Sequence, residues 1–326
     1  MRALVLIGGF GTRLRPITYE VPKQLIPIAG KPLLYHCLDL LPKEVDAVTF
    51  ATGYKSEVIA RYVREHPLRF PIETVPEAEP LGTGGGMKNA GARMSDPFVL
   101  MNSDVVSQVD VAALIAAHRA RSAYGTMYLT EVSDTRPYGV AALDPADRIA
   151  RFVEKPEPAE APSHWINAGI AVWDRGVLAA IPAGRPVSFE REVVPGLLDR
   201  GIFGYCDRGY WEDAGTPERM LRAQRLLFDA GRAPAPPATG GRASDLRVAF
   251  GQDDRLLGGR VGPYVTLGDR VVIEAEAQVE DAIIMDGAVI ERGARVSSSL
   301  IGPGTIVGAG REIRHAVLSA GSPEAR

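Results

Sequence analysis

Cysteine is scarce in this chain of 326 residues, which has only Cys37 and Cys206. The two stand far apart in apolar stretches, with no Cys-x-x-Cys or Cys/His spacing. A disulfide framework and a structural zinc site are therefore excluded, and both read as reduced core residues. The five histidines show no metal-ligand spacing either. An excess of one charge is also missing: 37 Lys plus Arg stand against 40 Asp plus Glu, a net charge of −3. A broad nucleic-acid surface needs clustered cations, whereas these are interspersed with carboxylates, so only a local anion site stays open. Long hydrophobic runs are absent as well. The N-terminal Met1 to Ile7 stops at Gly8, too short for a signal segment or a membrane span, and a cytoplasmic chain with no membrane partner is expected. With 46% apolar and 24% charged residues the composition is that of a globular protein with a real core.

Periodicity orders what is present. Arg2 to Ile7 reads as a buried strand ending in a glycine loop, Leu33 to Leu41 as a helix, Asp46 to Ala51 as a strand and Ser56 to His66 as a helix. Phe70 to Val75 follows as a strand, then a glycine-rich turn at Gly82 to Gly86 opening a short helix. Phe98 to Met101 is a strand and Val111 to Arg121 a helix. Such alternation predicts an α/β fold, a Rossmann-like, mostly parallel sheet with helices on both faces and ligands beyond the carboxyl ends of the strands. Beyond residue 124 the pattern turns β-rich, with Gly125 to Val132, Gly139 to Leu143, Arg148 to Val153 and Ile166 to Trp173 extending the sheet. One helix is expected around Glu190 to Arg200 and a last one over Pro217 to Gly231. The run Ala233 to Gly241 is a Pro/Gly linker. From about Gly259 small apolar residues recur in steps of six, with one slip of register, which predicts a left-handed parallel β-helix of hexapeptide repeats. The expected domains are 1–231, a linker 232–250, and 251–326.

The loop Gly8-Gly9-Phe10-Gly11-Thr12-Arg13-Leu14-Arg15-Pro16 follows the first strand, where freed backbone N–H groups can bind phosphate oxygens. It is not a P-loop, because no lysine occurs before Lys23. It is not a dinucleotide fingerprint, because Leu14 stands where the third glycine belongs. What remains is a glycine loop with Arg13, Arg15 and Lys23, suited to a polyphosphate.

That loop with Val21-Pro22-Lys23, followed in order by Pro80 to Gly85, Leu100 to Val105, Pro137 to Val140, Phe152 to Pro156, Asn167 to Ile170 and Tyr210 to Pro217, resembles the sugar-1-phosphate nucleotidyltransferases. The tail resembles the one carried by their mannose-1-phosphate guanylyltransferase branch. The resemblance implies attack of a sugar 1-phosphate on the α-phosphorus of a nucleoside triphosphate, with pyrophosphate leaving and Mg²⁺ as cofactor. It implies Asp104 and Asp213 as metal ligands, with an N-cap role as the competing reading of Asp104. Arg13, Lys23 and Asp104 are the implied catalytic residues. Gly8, Gly9, Gly11, Thr12, Leu81, Gly82, Thr83 and Gly84 are the implied nucleotide contacts, the base lying over the glycine-rich stretch. Gly139, Glu154, Lys155, Asn167 and Glu190 are the implied sugar-phosphate contacts. GTP is favoured by Leu-Gly-Thr-Gly-Gly with Asn-Ser-Asp-Val. Lys23-Gln24-Leu25 is closer to the thymidylyltransferases and keeps dTTP open, with UTP as a further choice. A non-catalytic regulatory homologue is the rival reading. The flat sides and open ends of a β-helix imply a homo-oligomer, dimer or larger.

Overall fold

The computed structural model describes residues 1–234 and 247–325. Most of the linker expected at 232–250 lies outside the described residues. The chain sorts into two compact units that do not follow linear order. One is Met1–Gly9 with Cys37–Trp211, and the other is Phe10–His36 with the described residues from Glu212 onward.

The first unit is built on a nine-stranded sheet among the described residues. Strands β1 (Arg2–Ile7), β2 (Ala47–Thr52), β3 (Ile72–Pro76) and β4 (Phe98–Asn102) are its parallel half, β1 pairing with both β2 and β4, and β2 with β3. Ala3, Leu4, Val5 and Ile7 are all buried, the near-continuous apolar run expected of a parallel strand covered on both faces. Helices α2 (Ser56–Glu65), α3 (Gly82–Ala90) and α4 (Val111–Ala120) lie between or after these strands, preceded in the chain by the short α1 (Leu33–Leu38). The β-rich segment adds β5 (Gly125–Glu131), β6 (Gly139–Leu143), β7 (Ile149–Glu154), β8 (Trp165–Trp173) and β9 (Ile202–Asp207). Antiparallel β8 joins β4 to β5 and β6, so the sheet is parallel on one side and mixed on the other.

Three local expectations are corrected. Helix α3 already begins at Gly82, so the glycines lie inside the helix and not in a turn before it. The segment expected as a helix around Glu190 to Arg200 is a π-turn, Phe189–Val193, running into a 3₁₀ segment, Val194–Arg200. Pro195 has no N–H to donate, which denies that stretch an unbroken α ladder. Cys206 is exposed, near the end of β9, whose ladder partner among the described residues is β5, with an isolated bridge from Phe203 to Arg148, while Cys37 is buried as expected and donates to the Val105 carbonyl.

In the second unit α5 (Pro217–Asp229) starts from Thr216, whose hydroxyl accepts from the Arg219 N–H. The C-terminal strands are short and parallel, and each pairs with an equivalent one coil later. Val248 pairs with Val265, Val265 with Ala282 and Ala282 with Ser299, a separation of 17 residues that recurs in the hydrogen bonds between coils. Apart from Arg260 and Val261, which pair 18 residues on with Gln278 and Val279, each step is thus one residue short of three full sixes, which is why the six-residue reading slips. Left-handed residues mark the corners at the same spacing: Tyr264, Asp281, Ser298 and His315 at φ of 57°, 46°, 45° and 50°, and Arg270, Gly287 and Gly304 at 57°, 68° and 61°. Inside, Ile273, Ile290 and Val307 form one buried ladder and Val261, Val279, Val296 and Ile313 another. Each such buried side chain contributes about 1.5–3 kcal/mol. The Gln224 amide of α5 is fully buried, donating to the Tyr264 and Ala282 carbonyls and accepting from Thr266, so the helix is keyed to the strand stack.

Candidate functional site

In the first unit the end of β7 turns sharply at Lys155, whose φ is 54°, and whose N–H donates to the Tyr138 carbonyl at 2.9 Å. That turn leaves Lys155 exposed and Glu154 largely enclosed, with 3.7 Å between the Lys155 Nζ and Glu154 Oε1. A methyl group on Gly139 would lie 2.8 Å from Glu154 Oε2, so only glycine leaves that carboxylate its room. Burial first, and then the charge of Glu190, push the Glu154 carboxyl above the usual range, while Lys155 and Arg191 pull it back. Thr83 donates to Glu190 at 2.6 Å and accepts from the Phe189 N–H at 2.9 Å, joining α3 to the π-turn. Gly139, Glu154, Lys155 and Glu190, expected on the sugar-phosphate side, therefore lie together, and Thr83, expected on the nucleotide side, joins them through Glu190.

Asn167 lies on β8, where the register with β5 breaks between Asn167 and Ala171, and its side-chain oxygen accepts from the Gly169 N–H at 3.1 Å. The break puts Gly169 at φ 78° with its Cα against the Asn102 amide. Asp104 sits in the turn between β4 and the short strand Val105–Ser107. Gly8 and Gly9 follow β1 and are open to solvent, with no heavy atom within 4 Å of a methyl group placed on either.

The buried glycines of α3 serve the protein's own packing. Gly84 donates to the Val187 carbonyl at 2.9 Å, and methyl groups on Gly84 and Gly86 would meet Val187 Cγ1 at 2.9 Å and Glu77 Oε1 at 2.6 Å. Leu81 and Gly82 lie at the helix start, where Glu77 accepts from the Leu81 N–H at 3.0 Å. Glu77 was not singled out from the sequence, since Pro-Glu-Ala-Glu reads as solvated loop. Trp211 was missed as a separate element too: its indole N–H donates to the Ala168 carbonyl at 2.9 Å and its ring meets Tyr138 edge-on at 5.2 Å.

The second unit holds the cationic set. Gly11, at φ 59°, opens the 3₁₀ turn Thr12–Leu14 that carries Arg13, and Lys23 opens another, Lys23–Leu25, after the turn Ile17–Tyr19. A methyl group on Gly11 would stand 3.5 Å from Lys23 Cβ, so the two turns are neighbours. One on Gly215 would stand 2.9 Å from both Arg13 Nη2 and Asp213 Oδ1, so Arg13 and Asp213 flank the same glycine. Asp213 also pairs with Arg219 at 3.2 Å. Glu212, the preceding residue, is buried and engaged by Arg222 at 3.3 Å; burial raises its pKa, against the pull of Arg222 and Arg219. Among the described residues no group of three or more His, Cys, Asp or Glu is placed to hold a metal. No helix among them is long and apolar enough to cross a membrane.

The first unit thus holds an enclosed carboxylate beside an exposed lysine, and the second a glycine loop that bears cations, groups of the kind that bind hydroxyls and phosphate oxygens respectively. The nucleotidyl transferase family model matches residues 2–229, and the model of the GMPPB C-terminal domain matches residues 257–322. The chain belongs to the nucleotidyl transferase family. It is 40% identical over 294 residues to the mannose-1-phosphate guanylyltransferase of Mycobacterium tuberculosis, covering 87% of this chain and 80% of that one. It is 36% identical over 300 residues to the probable mannose-1-phosphate guanylyltransferase 1 of Oryza sativa subsp. japonica, covering 88% and 82%. Among solved structures it is similar to HddC from Yersinia pseudotuberculosis complexed with GMP-PN, with a TM-score of 0.58 and 26% identity over 69% of this chain and 99% of that one.

Proposed function

We propose that the protein transfers GMP from GTP to a hexose 1-phosphate, with mannose 1-phosphate the first candidate, giving a GDP-sugar and pyrophosphate. The observation that carries this reading is the 40% identity to a named guanylyltransferase across most of both chains. A sugar-phosphate oxygen forms a bond to the α-phosphorus as the bond from that phosphorus to the bridging oxygen of pyrophosphate breaks, so no protein nucleophile is needed. Arg13 and Lys23 take the triphosphate and offset the charge that develops as pyrophosphate departs. The backbone of Gly8, Gly9, Gly11 and Thr12 approaches its oxygens, while Leu81, Gly82, Thr83 and Gly84 receive the base. Lys155 meets the sugar phosphate. Glu154 accepts from sugar hydroxyls, Gly139 gives the sugar room, and Asn167 and Glu190 complete the polar contacts.

We take Mg²⁺ as the cofactor, with Asp104 and Asp213 as the residues that would hold it, because carboxylate oxygens are hard donors of the kind this ion prefers and phosphates and water supply its other ligands. When bound, the ion neutralises phosphate charge and aligns the reacting groups. We read the C-terminal strands as a left-handed parallel β-helix of hexapeptide-repeat type, on the support of the left-handed corners and inward ladders, and the enzyme as a cytoplasmic homo-oligomer.

The test is pyrophosphate release from GTP, dTTP and UTP, each with a panel of sugar 1-phosphates. GTP with mannose 1-phosphate is expected to turn over fastest, to stop with chelator and to resume with Mg²⁺. Asp104→Asn is expected to remove most of the rate. No turnover in any combination would reject the reading in favour of a regulatory homologue, and fastest turnover with dTTP or UTP would reject GTP.

A further inference from the structure

The loop bearing Arg13 and Lys23 belongs to the same compact unit as the C-terminal strands, and it is seated on them at two points. Ile17 is fully buried, and a methyl group on Gly302 of the strand stack would stand 3.2 Å from Ile17 Cγ1 and 3.0 Å from the Leu318 carbonyl. Farther along, the hairpin of Pro27–Ile28 with Lys31–Pro32 turns at Gly30, where a methyl group would stand 3.1 Å from Ala249 Cβ and 2.6 Å from Pro234 Cγ. The first contact reaches the chemistry by a short path. Thr18, next to Ile17 and itself buried, donates its hydroxyl to the Gly11 carbonyl at 2.9 Å, and its Cγ2 would stand 2.9 Å from a methyl group on Gly11. Gly11 opens the turn that carries Arg13, and Leu14, the last residue of that turn, donates back to the Gly11 carbonyl. One carbonyl therefore ties the turn to Thr18, and Ile17 ties Thr18 to Gly302.

We propose that the C-terminal strand stack sets the position of Arg13: Ile17, Thr18 and Gly302 are positioning residues for the guanidinium, and the stack is a working part of the phosphate-binding loop. The inference rests on the role given to Arg13 above. Of the three, Gly302 is the most telling, because it lies far along the chain and touches no substrate group. Its φ is not in the left-handed region, so alanine is accessible to the backbone and acts only through the space it fills.

The test is steady-state pyrophosphate release by the full-length protein carrying Thr18→Val, Thr18→Ser or Gly302→Ala, each alone and combined with Arg13→Lys. A misplacement of under an ångström is expected to lower kcat about tenfold in Thr18→Val and several-fold in Gly302→Ala. The KM for the sugar phosphate is expected to hold, and Thr18→Ser, which keeps the hydroxyl, to restore kcat. In the Arg13→Lys background neither change is expected to lower the rate further, because the group being positioned is no longer the native one. A merely structural role predicts the same fold-loss in both backgrounds, and that result would overturn the proposal. So would a parental kcat in both Thr18→Val and Gly302→Ala. If Arg13→Lys keeps the parental rate, the role of Arg13 fails instead, and the positioning proposal with it.

Discussion

The two units hold opposite kinds of polar group in opposite ways. The first encloses acids: Glu154 is largely shielded, sits near Glu190 and is kept off its ordinary pKa by burial. The second displays cations: Arg13 is exposed at a turn, with Asp213 on the other side of Gly215. Under the proposed function the contrast follows from the ligand that each unit would take. A hydroxyl needs a fixed acceptor in a dry place, where a hydrogen bond discriminates strongly against a substrate that cannot make it. A triphosphate brings its own charge and water, and asks for weakly hydrated cations near backbone N–H groups. Among the groups proposed to meet substrate directly, the sharper specificity should therefore reside in the first unit and the larger rate effect in the second.

The largest expected effect tests the second half of that statement. Arg13→Ala should lower kcat by about 10²–10³, the cost of removing one preorganised donor of transition-state charge, with the sugar-phosphate KM within about threefold of the parent. Progress curves of pyrophosphate release give both numbers. Equal losses in kcat and sugar affinity would dissolve the division of labour between the units.

Glu154→Gln tests the first half. Losing a charged acceptor to a sugar hydroxyl is worth about 1.5–3 kcal/mol, so the sugar-phosphate KM should rise by about ten- to a hundredfold while kcat changes much less. The pH profile adds a sign. Burial and Glu190 hold the Glu154 pKa up, so the acid limb of kcat/KM should lie above that of an ordinary glutamate, with binding lost as pH falls through it. Glu190→Gln removes the repelling charge and should move that limb to lower pH. A limb that stays put or rises would mean that Glu154 does not govern it.

Much of the candidate site was legible because the residues proposed to touch ligands occur in short runs whose order survives without a structure. Phe-Val-Glu-Lys-Pro ends one strand, Asn-Ser-Asp ends another, and the glycine loop follows the first. What could not be read was how the chain's distant parts support those runs. Gly302 reads as one more repeat glycine, yet its lack of a side chain leaves space for Ile17. Gln224 reads as a polar position on a helix, yet it is fully buried between carbonyls of successive coils. The six-residue pattern was visible, but the 17-residue coil was not, because the missing residue falls at a corner where left-handed backbone lets Asp281, Ser298 or His315 turn as a glycine would. The exposure of Cys206 follows from an edge strand, a property of the sheet order and not of the apolar stretch around it.

The smallest effect concerns stability and separates the units by their response to acid. His36 is buried in the second unit, and its Nε2 donates to the Ile28 carbonyl at 2.8 Å, bracing the hairpin that rests on Ala249. Burial, with smaller contributions from Lys31 and Arg232, brings its pKa down to about 3, opposed by the bond to Ile28. The unfolded chain takes up a proton near the ordinary value of about 6.5 and the folded chain does not, so this group's contribution is full above that pH and is lost as pH falls toward 3. The loss is about 1.4 kcal/mol per pH unit, or about 2 kcal/mol between pH 8 and pH 5. Glu212 works the other way, since an acid with a raised folded pKa favours the fold as pH falls. The His36 contribution is therefore read as a difference between proteins. His36→Gln keeps a donor for Ile28 and cannot titrate, so in urea unfolding its stability should fall less steeply than the parent's between pH 6.5 and pH 5. Identical slopes would show that the hairpin beneath the cationic loop is indifferent to acid. The acid sensitivity of the enzyme would then lie with its carboxylates.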